Sequence, residues 1–290
     1  MKIGYLGPKG TFTHYACEQV VNIKQNESDP VLLDEYLSLD ALFDALDLNL
    51  IDAILSPFEN SIEGPVNRVL DSFLTHRNFY VSQLYEMPIQ QSLVSFNPEL
   101  NINDIQHVVS MPHAIAQCYQ FIKTYCPSAT IHHAPSTAGS VSLIDALKLP
   151  HNSTAIIGHK NIANYFNIYV LKQNINDQKH NTTQFSLIEK SDNSPVLNAH
   201  HNRCLIAFST SKDTPGSLLN VLEIFKSYDV NLTKILSRPE KKETGSYIFY
   251  IEFSIESAKL SNIEILLSKV RSNSVYFRNL GFYWSSELND

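Results

Sequence analysis

No stretch of the sequence approaches the ~18 consecutive apolar residues that a membrane-spanning helix requires, although 43% of the residues are hydrophobic. A helical membrane protein is excluded and a chain with a sizeable core is expected. The N-terminus, MKIGYLGPKG, passes directly from an apolar strand into a Gly/Pro turn and lacks the apolar region and cleavage site of a secretory signal, so the expected location is cytoplasmic. Cysteine is scarce and unpatterned. Cys17, Cys118, Cys126 and Cys204 show no CxxC spacing, which suits reduced, buried thiols and neither a disulfide framework nor a metal site. The eleven histidines include the pairs His132–His133 and His200–His201, but none has the i, i+4 spacing around a glutamate that marks a zinc helix. No metal is expected. Positive charge is also short: 22 Lys and Arg face 29 Asp and Glu, and the basic residues are dispersed. That leaves no electrostatic footprint for nucleic acid or an anionic membrane, and a small ligand is the expected partner.

What the sequence does contain, over 290 residues and room for two units, is organised around Ser56–Gly64, SPFENSIEG. An apolar run, Ile51–Leu55, reads as a buried strand, which places Glu59, Asn60 and Ser61 just beyond its C-terminal end. Ligand crevices of open α/β sheets form at such ends. Upstream, the strand Lys2–Leu6 leads into GPKGTFTH, where glycines permit a tight turn and Thr11 or Thr13 can cap a helix beginning near His14. Downstream, the unit of strand, hydroxyl cap and helix recurs. A helix over Leu39–Leu46 precedes the central strand, and Pro65–Leu74 continues as a helix with Val66, Val69, Leu70 and Phe73 on one face. Phe79–Met87 is strand-like. His107–Ser110 ends a strand, with Ser110 capping a helix over Pro112–Tyr125. Ala129–His133 is a strand followed by PSTAGS, where Ser136 or Thr137 caps a helix reaching Leu147. Ser153–Ile157 and Gly158–Phe166 repeat the pattern.

This repetition predicts parallel sheets flanked by helices, with helix N-termini gathered at one edge. Each N-terminus carries about half a positive elementary charge and unpaired N–H donors, so several together can bind carboxylates with little formal positive charge. Asn181–Lys190, NTTQFSLIEK, reads as a strand with Phe185 and Leu187 on one face and a polar entry that brings Asn181 and Thr183 to the cleft. SDNSPVLNAHHN then reads as a linker. Beyond it follow a strand (Arg203–Thr210), a helix starting at Pro215 after Asp213, strands at Asn231–Ser237 and Ser246–Ile255, a helix at Leu260–Arg271 and a last strand. This is the βαββαβ order of ferredoxin-like units.

On these motifs the sequence resembles the prephenate dehydratase family along essentially its whole length. GPKGTFTH is similar to that family's glycine turn, SPFENSIEG to PIENSxxG, SMPHAIAQC to SHPQALxQC, PSTAGS to its SSTA segment and NTTQF to NxTRF. DTPGSLLNVLEIF and NLTKILSRP resemble the GALL helix and NLTKIESRP strand of ACT regulatory domains. The resemblance implies a two-lobed catalytic domain over residues 1–190, built like the type 2 periplasmic binding proteins, with a discontinuous first lobe that takes its last strand from TTQFSLI. A linker at 191–201 and an ACT domain at 202–290 would follow. No chorismate mutase segment is expected. The implied reaction converts prephenate to phenylpyruvate, water and CO2 without a cofactor, under control by phenylalanine bound between ACT domains. The implied assembly is a homodimer or homotetramer. Arogenate dehydratase is the sister activity on the same scaffold.

Carried over by motif, Thr183 is the expected donor to the departing hydroxyl, with Asn60 and Glu59 in the catalytic group, Glu59 orienting Asn60 or nearby loops. Thr11, Ser61, Ser110, Gln117, Ser136, Thr137, Asn181, Gln184 and Phe185 are the expected substrate-binding residues. Gly216, Ser217, Leu218, Asn231, Leu232, Ser237 and Arg238 are the expected effector site. Gln184 stands where the motif has arginine, removing a permanent charge and a bidentate carboxylate fork. If the motif residue only braces the loop, glutamine suffices; if it contacts substrate, either Lys9 or Arg68 compensates or the chain is a turnover-deficient ligand-binding homologue. Leu236 replaces the glutamate of ESRP, and Met111 and His113 stand where the family reads HPQ.

Overall fold

The computed structural model describes residues 1–24, 30–210, 214–240, 246–255 and 260–288. Asp213, expected to precede a helix, lies outside the described residues. The chain divides into two compact units: Met1–Val69 with Glu86–Phe185 and the C-terminal residues from Glu287, and Leu70–Tyr85 with Ser186–Ser286.

The first unit opens with β1 (Lys2–Leu6), α1 (Phe12–Lys24), β2 (Leu32–Tyr36), α2 (Leu39–Asp47) and β3 (Ala53–Asn60). β1 lies between β2 and β3, both parallel to it. The central strand runs longer than the sequence suggests. Glu59 and Asn60 are its last residues, not a loop beyond it, because the chain folds back and pairs them with β4 (Gly64–Pro65). Helix α3 accordingly starts at Asn67 rather than Pro65 and ends at Thr75. Strand β5 (Phe79–Pro88) follows.

A second lobe of the same unit is built from β6 (Ser92–Ser95), β7 (His107–Ser110), α4 (Pro112–Gln117), α5 (Tyr119–Tyr125), β8 (Thr130–His133), α6 (Gly139–Leu147), β9 (Thr154–Gly158) and β10 (Tyr169–Lys172). Its strand order is β10-β6-β9-β7-β8. The expected all-parallel sheet is corrected here: β7, β8 and β9 are parallel, but β6 pairs antiparallel with both β9 and β10. The reason for the apolar runs is the layering. Successive residues point to opposite faces, so Leu93, Val108, Ala155 and Ile157 join Ala114, Phe121 and Ile122 in one core. Val94, Val109 and Ile156 join Ile144 and Ile162 in another. With helical cover on both faces, every residue of β9 is buried. The expected helix at Gly158–Phe166 is only a 3-10 turn, Lys160–Asn164, whose start is capped by the His159 ring. Helix Pro112–Tyr125 is broken at Cys118 into α4 and α5.

β11 (Thr182–Lys190) completes the chain before the second unit's β12 (Arg203–Ser209), α7 (Ser217–Ser227), β13 (Leu232–Pro239), β14 (Tyr247–Ser254), α8 (Leu260–Ser272) and β15 (Tyr276–Glu287). In this unit the sheet order is β13-β14-β12-β15, all antiparallel, the ferredoxin-like arrangement. Residues of β12 and β14 pack with Val221, Phe225, Ile263, Leu266 and Val270 of the two helices in one core. On the other face of β14, Tyr250 donates to the Leu70 carbonyl (2.9 Å) and Glu252 accepts from Tyr283 (2.7 Å) and Thr233. β15 approaches β5 closely at Gly281, φ 148°, where a Cβ would lie 2.1 Å from the Val81 carbonyl oxygen. A register shift in the β12–β15 pairing adjoins this glycine, as a bulge that admits the approach.

Within the second unit the guanidinium of Arg278 donates to the carbonyls of Phe73, His76 and Phe79, and Arg238 holds Asp71 through two 3.3 Å bonds. Burial lowers the Arg278 pKa, and the carbonyl dipoles are what make its charge tolerable there. Arg278→Met, which keeps the stem but leaves the carbonyls unpaired, is expected to cost on the order of 2–3 kcal/mol, read as a lowered urea midpoint with unchanged slope.

Candidate active site

A cavity of about 400 Å³ opens in the first unit, lined from both of its lobes. One wall is the glycine turn: Gly7, Thr11, Phe12 and Thr13 line it. Gly10, at φ 86°, makes the turn possible, with its N–H donated to His14 Nδ1 at 3.3 Å. Desolvation lowers the His14 pKa from its ordinary 6.5, which keeps the ring neutral at pH 7 and able to accept that bond. Glu35 grips the turn from β2, accepting the Lys9 N–H at 3.0 Å. Thr11 Oγ1 accepts the His14 N–H at 3.3 Å, so Thr11, not Thr13, caps α1.

The second wall is the β3–β4 turn with the start of β11. Asn60 is its centre. Its Oδ1 accepts the backbone N–H groups of Ile62 (2.9 Å) and Glu63 (3.0 Å), and its Nδ2 donates to Asn181 Oδ1 (2.7 Å), Thr183 Oγ1 (2.9 Å) and the Thr182 carbonyl (3.3 Å). Ser61 exchanges backbone and side-chain bonds with Thr182, locking the turn onto β11. The Asn181 amide then donates to Gln117 Oε1 (3.2 Å), which also accepts from Gln91 Nε2 (3.1 Å). A continuous relay of amides runs from β3 to α4 and to Gln91, the residue before β6.

Of the residues expected at the site, Asn60, Thr11, Gln117, Ser136, Thr137, Thr183 and Phe185 line the cavity together. Glu59, Ser61, Ser110, Asn181 and Gln184 are not among its lining residues. Ser110 does not cap the following helix. Its buried hydroxyl donates to the Ile157 carbonyl at 2.6 Å, because the serine ends β7 inside the sheet and the helix is entered through Met111 and Pro112. Ser136 Oγ accepts the Gly139 N–H at 2.8 Å at the head of α6. Gln184 Nε2 donates to Glu86 Oε1 at 3.0 Å. The lining residues include neither Lys9 nor Arg68; Arg68 pairs with Asp40. Glu63, Gln91, Ile89, Met111 and His113 line the cavity without having been singled out as binding residues. No motif distinguishes Gln91, whose side chain is buried and whose position at the cavity is set by β6.

In the second unit, Gly216 (φ 83°) and Ser217 start α7, with Ser217 Oγ donating to Thr210 Oγ1 at 3.0 Å. Leu218 follows them in the helix, Asn231 precedes β13, and Leu232, Leu236, Ser237 and Arg238 lie along that edge strand. All four cysteines are free and buried, Cys118 with its pKa pushed up to about 12 by burial. No described helix is long and apolar enough to cross a membrane.

The first unit is a two-lobed α/β body with a cavity lined by Asn60, Gln91 and Gln117 among others, and it is followed by a ferredoxin-like unit. The chain belongs to the prephenate dehydratase family, whose sequence model matches residues 3–193. The prephenate dehydratase of Methanocaldococcus jannaschii is 31% identical over 282 residues, covering 96% of each chain. That of Bacillus subtilis is 29% identical, covering 95% of this chain and 98% of its own. A solved prephenate dehydratase from Arthrobacter aurescens, in complex with L-Phe, superposes with a TM-score of 0.83 at 27% identity, over 98% of this chain and 89% of that one.

Asn60→Asp replaces the donor that faces Asn181, Thr183 and the Thr182 carbonyl with an acceptor. Turnover is expected to fall on the order of 10²-fold, as for a lost preorganised donor set, with the urea midpoint also lowered. Unchanged turnover would show that the relay does not order the site.

Proposed function

We propose that this chain is a cytoplasmic prephenate dehydratase, with residues 1–190 catalytic and 202–290 regulatory. The observation that carries the mechanism is the Thr183 hydroxyl. Its oxygen accepts from Asn60 Nδ2 and makes no other hydrogen bond among the described residues, so its own proton is available to a ligand in the cavity. Thr183 donates that hydrogen bond to the ring hydroxyl of prephenate. The ring C–O bond breaks and the hydroxyl, taking up one proton that solvent supplies and Thr183 relays, leaves as water, while the C–C bond to the ring carboxylate breaks and its electron pair completes the aromatic ring. CO2 and phenylpyruvate result. A threonine of ordinary acidity serves as a donor or proton relay, and aromatisation supplies the driving force, so neither a nucleophile nor a metal is invoked.

The carboxylates of the substrate are held by backbone N–H groups at the start of α1 and α6, where Thr11, Phe12, Thr13, Ser136 and Thr137 line the cavity. The first-turn N–H groups of a helix have no intrahelical acceptor and favour anions. Gln184 braces β11 against Glu86 instead of contacting substrate, which explains how glutamine suffices at a position where the family motif has arginine. Glu59 orients the same turn. Formation of phenylpyruvate from prephenate by the wild type tests the activity. Thr183→Val is expected to lower kcat on the order of 10²- to 10³-fold, while Gln184→Arg changes it less than about three-fold, the new cation pairing with Glu86. Activity that appeared only in Gln184→Arg would sink this reading in favour of a ligand-binding homologue.

The ferredoxin-like unit serves as the regulatory ACT domain in this proposal. β13 is an edge strand with Ile235 47% exposed, and open edges favour pairing with a second copy. Phenylalanine, present in the related Arthrobacter structure, binds between two such units at Gly216, Ser217, Leu218, Asn231, Leu232, Ser237 and Arg238. A homodimer or homotetramer is expected in multi-angle light scattering at micromolar protein, with phenylalanine inhibiting turnover. A strictly monomeric, phenylalanine-insensitive enzyme would remove the regulatory site.

A further inference from the structure

The direction of every bond in the amide relay is determined at one end. Side-chain amides can be turned by 180° without changing shape, so their orientation follows from their partners. Asn60 admits only one: Oδ1 faces two backbone N–H donors and Nδ2 faces the Thr182 carbonyl. Asn181 must therefore present Oδ1 to Asn60 and its Nδ2 to Gln117, Gln117 must present Oε1, and Gln91 must answer with Nε2. Gln91 Oε1 is left pointing elsewhere. It is the only buried side-chain polar atom without a hydrogen-bond partner among the described residues, on a side chain 2% exposed that lines the cavity.

A buried acceptor without a donor is unstable, and the relay forbids Gln91 from relieving it by turning over. We infer that Gln91 Oε1 is a substrate contact that accepts a hydrogen bond from the ring hydroxyl. This rests on the dehydratase reading, and the chemistry of the substrate selects the group: prephenate ionised at both carboxylates has a single hydrogen-bond donor, that hydroxyl. Thr183 and Gln91 then divide the two functions of one oxygen. Thr183 donates to its lone pair and Gln91 accepts its hydrogen, orienting the C–O bond that breaks. As the oxygen takes up a proton its O–H becomes a stronger donor, so the Gln91 bond strengthens toward the transition state, where it accelerates the reaction.

The test compares wild type and Gln91→Met in prephenate turnover and in calorimetric binding of two planar ligands, phenylpyruvate and 4-hydroxyphenylpyruvate, the second carrying a donor at the position of the lost hydroxyl. Gln91→Met is expected to lower kcat/KM about ten-fold, one neutral hydrogen bond, while its phenylpyruvate affinity stays within about two-fold. Wild type is expected to prefer the hydroxylated ligand several-fold and the variant to lose that preference. Undiminished turnover in Gln91→Met, or a parallel loss of phenylpyruvate affinity, would assign Gln91 to holding Gln117 alone. If the variant does not fold, the ligand comparison in wild type decides, and no preference for the hydroxylated ligand overturns the contact. Absence of prephenate turnover in wild type would instead overturn the dehydratase reading, a result distinct from either outcome for Gln91.

Discussion

The candidate site depends on how the side chain of Asn60 is pinned between backbone groups. Two N–H donors from the turn that follows β3 fix its oxygen, and a carbonyl of β11 fixes its nitrogen. Because an amide has distinct donor and acceptor ends, fixing one orients the next wherever they touch. The consequence reaches Asn181, Gln117 and Gln91, and separately turns the Thr183 oxygen into an acceptor whose hydroxyl proton is still available. A turn of three residues between β3 and β4 thus sets the polarity of a wall assembled from three distant segments. In a buried setting such a network is costly if any member is misdirected, which favours a single arrangement.

The other wall follows the same economy with different parts. The glycine turn is held by His14, Thr11 and Glu35 through one accepting atom each. A neutral imidazole is required at His14, and burial supplies that condition. Helix starts, rather than lysine or arginine, face the cavity. Backbone donors attract carboxylates without the side-chain entropy and salt sensitivity of a flexible cation, and they do not move once the helix has formed.

Much of the site was legible because its motifs are local. The spacing of a hydroxyl before a helix offered Thr11 or Thr13 and Ser136 or Thr137, and Thr11 and Ser136 are the members that accept an N–H three residues on. The same reasoning failed at Ser110, where the hydroxyl found a carbonyl in a neighbouring strand instead. A serine at a strand end has both choices, and sheet register decides between them. Gln184 shows the converse. Its motif position suggested a ligand contact, but its amide meets Glu86 on β5, a partner 98 residues away that no local pattern reveals.

Alternation of apolar residues, turn glycines and the order of elements were enough by themselves to specify strands flanked by helices and a βαββαβ ferredoxin-like unit, since these follow from periodicity and backbone freedom within a few residues, whereas the two lobes were implied by the family resemblance. Which strands run antiparallel, that β3 continues through Asn60, and that Leu70–Tyr85 joins the second unit came only from the tertiary structure. So did Gln91. Its significance lies in a hydrogen bond it does not make, and that is settled by Asn60, Asn181 and Gln117 across separations of up to 121 residues. Sequence specifies which groups are present, whereas the direction in which a buried amide points is a property of everything packed around it.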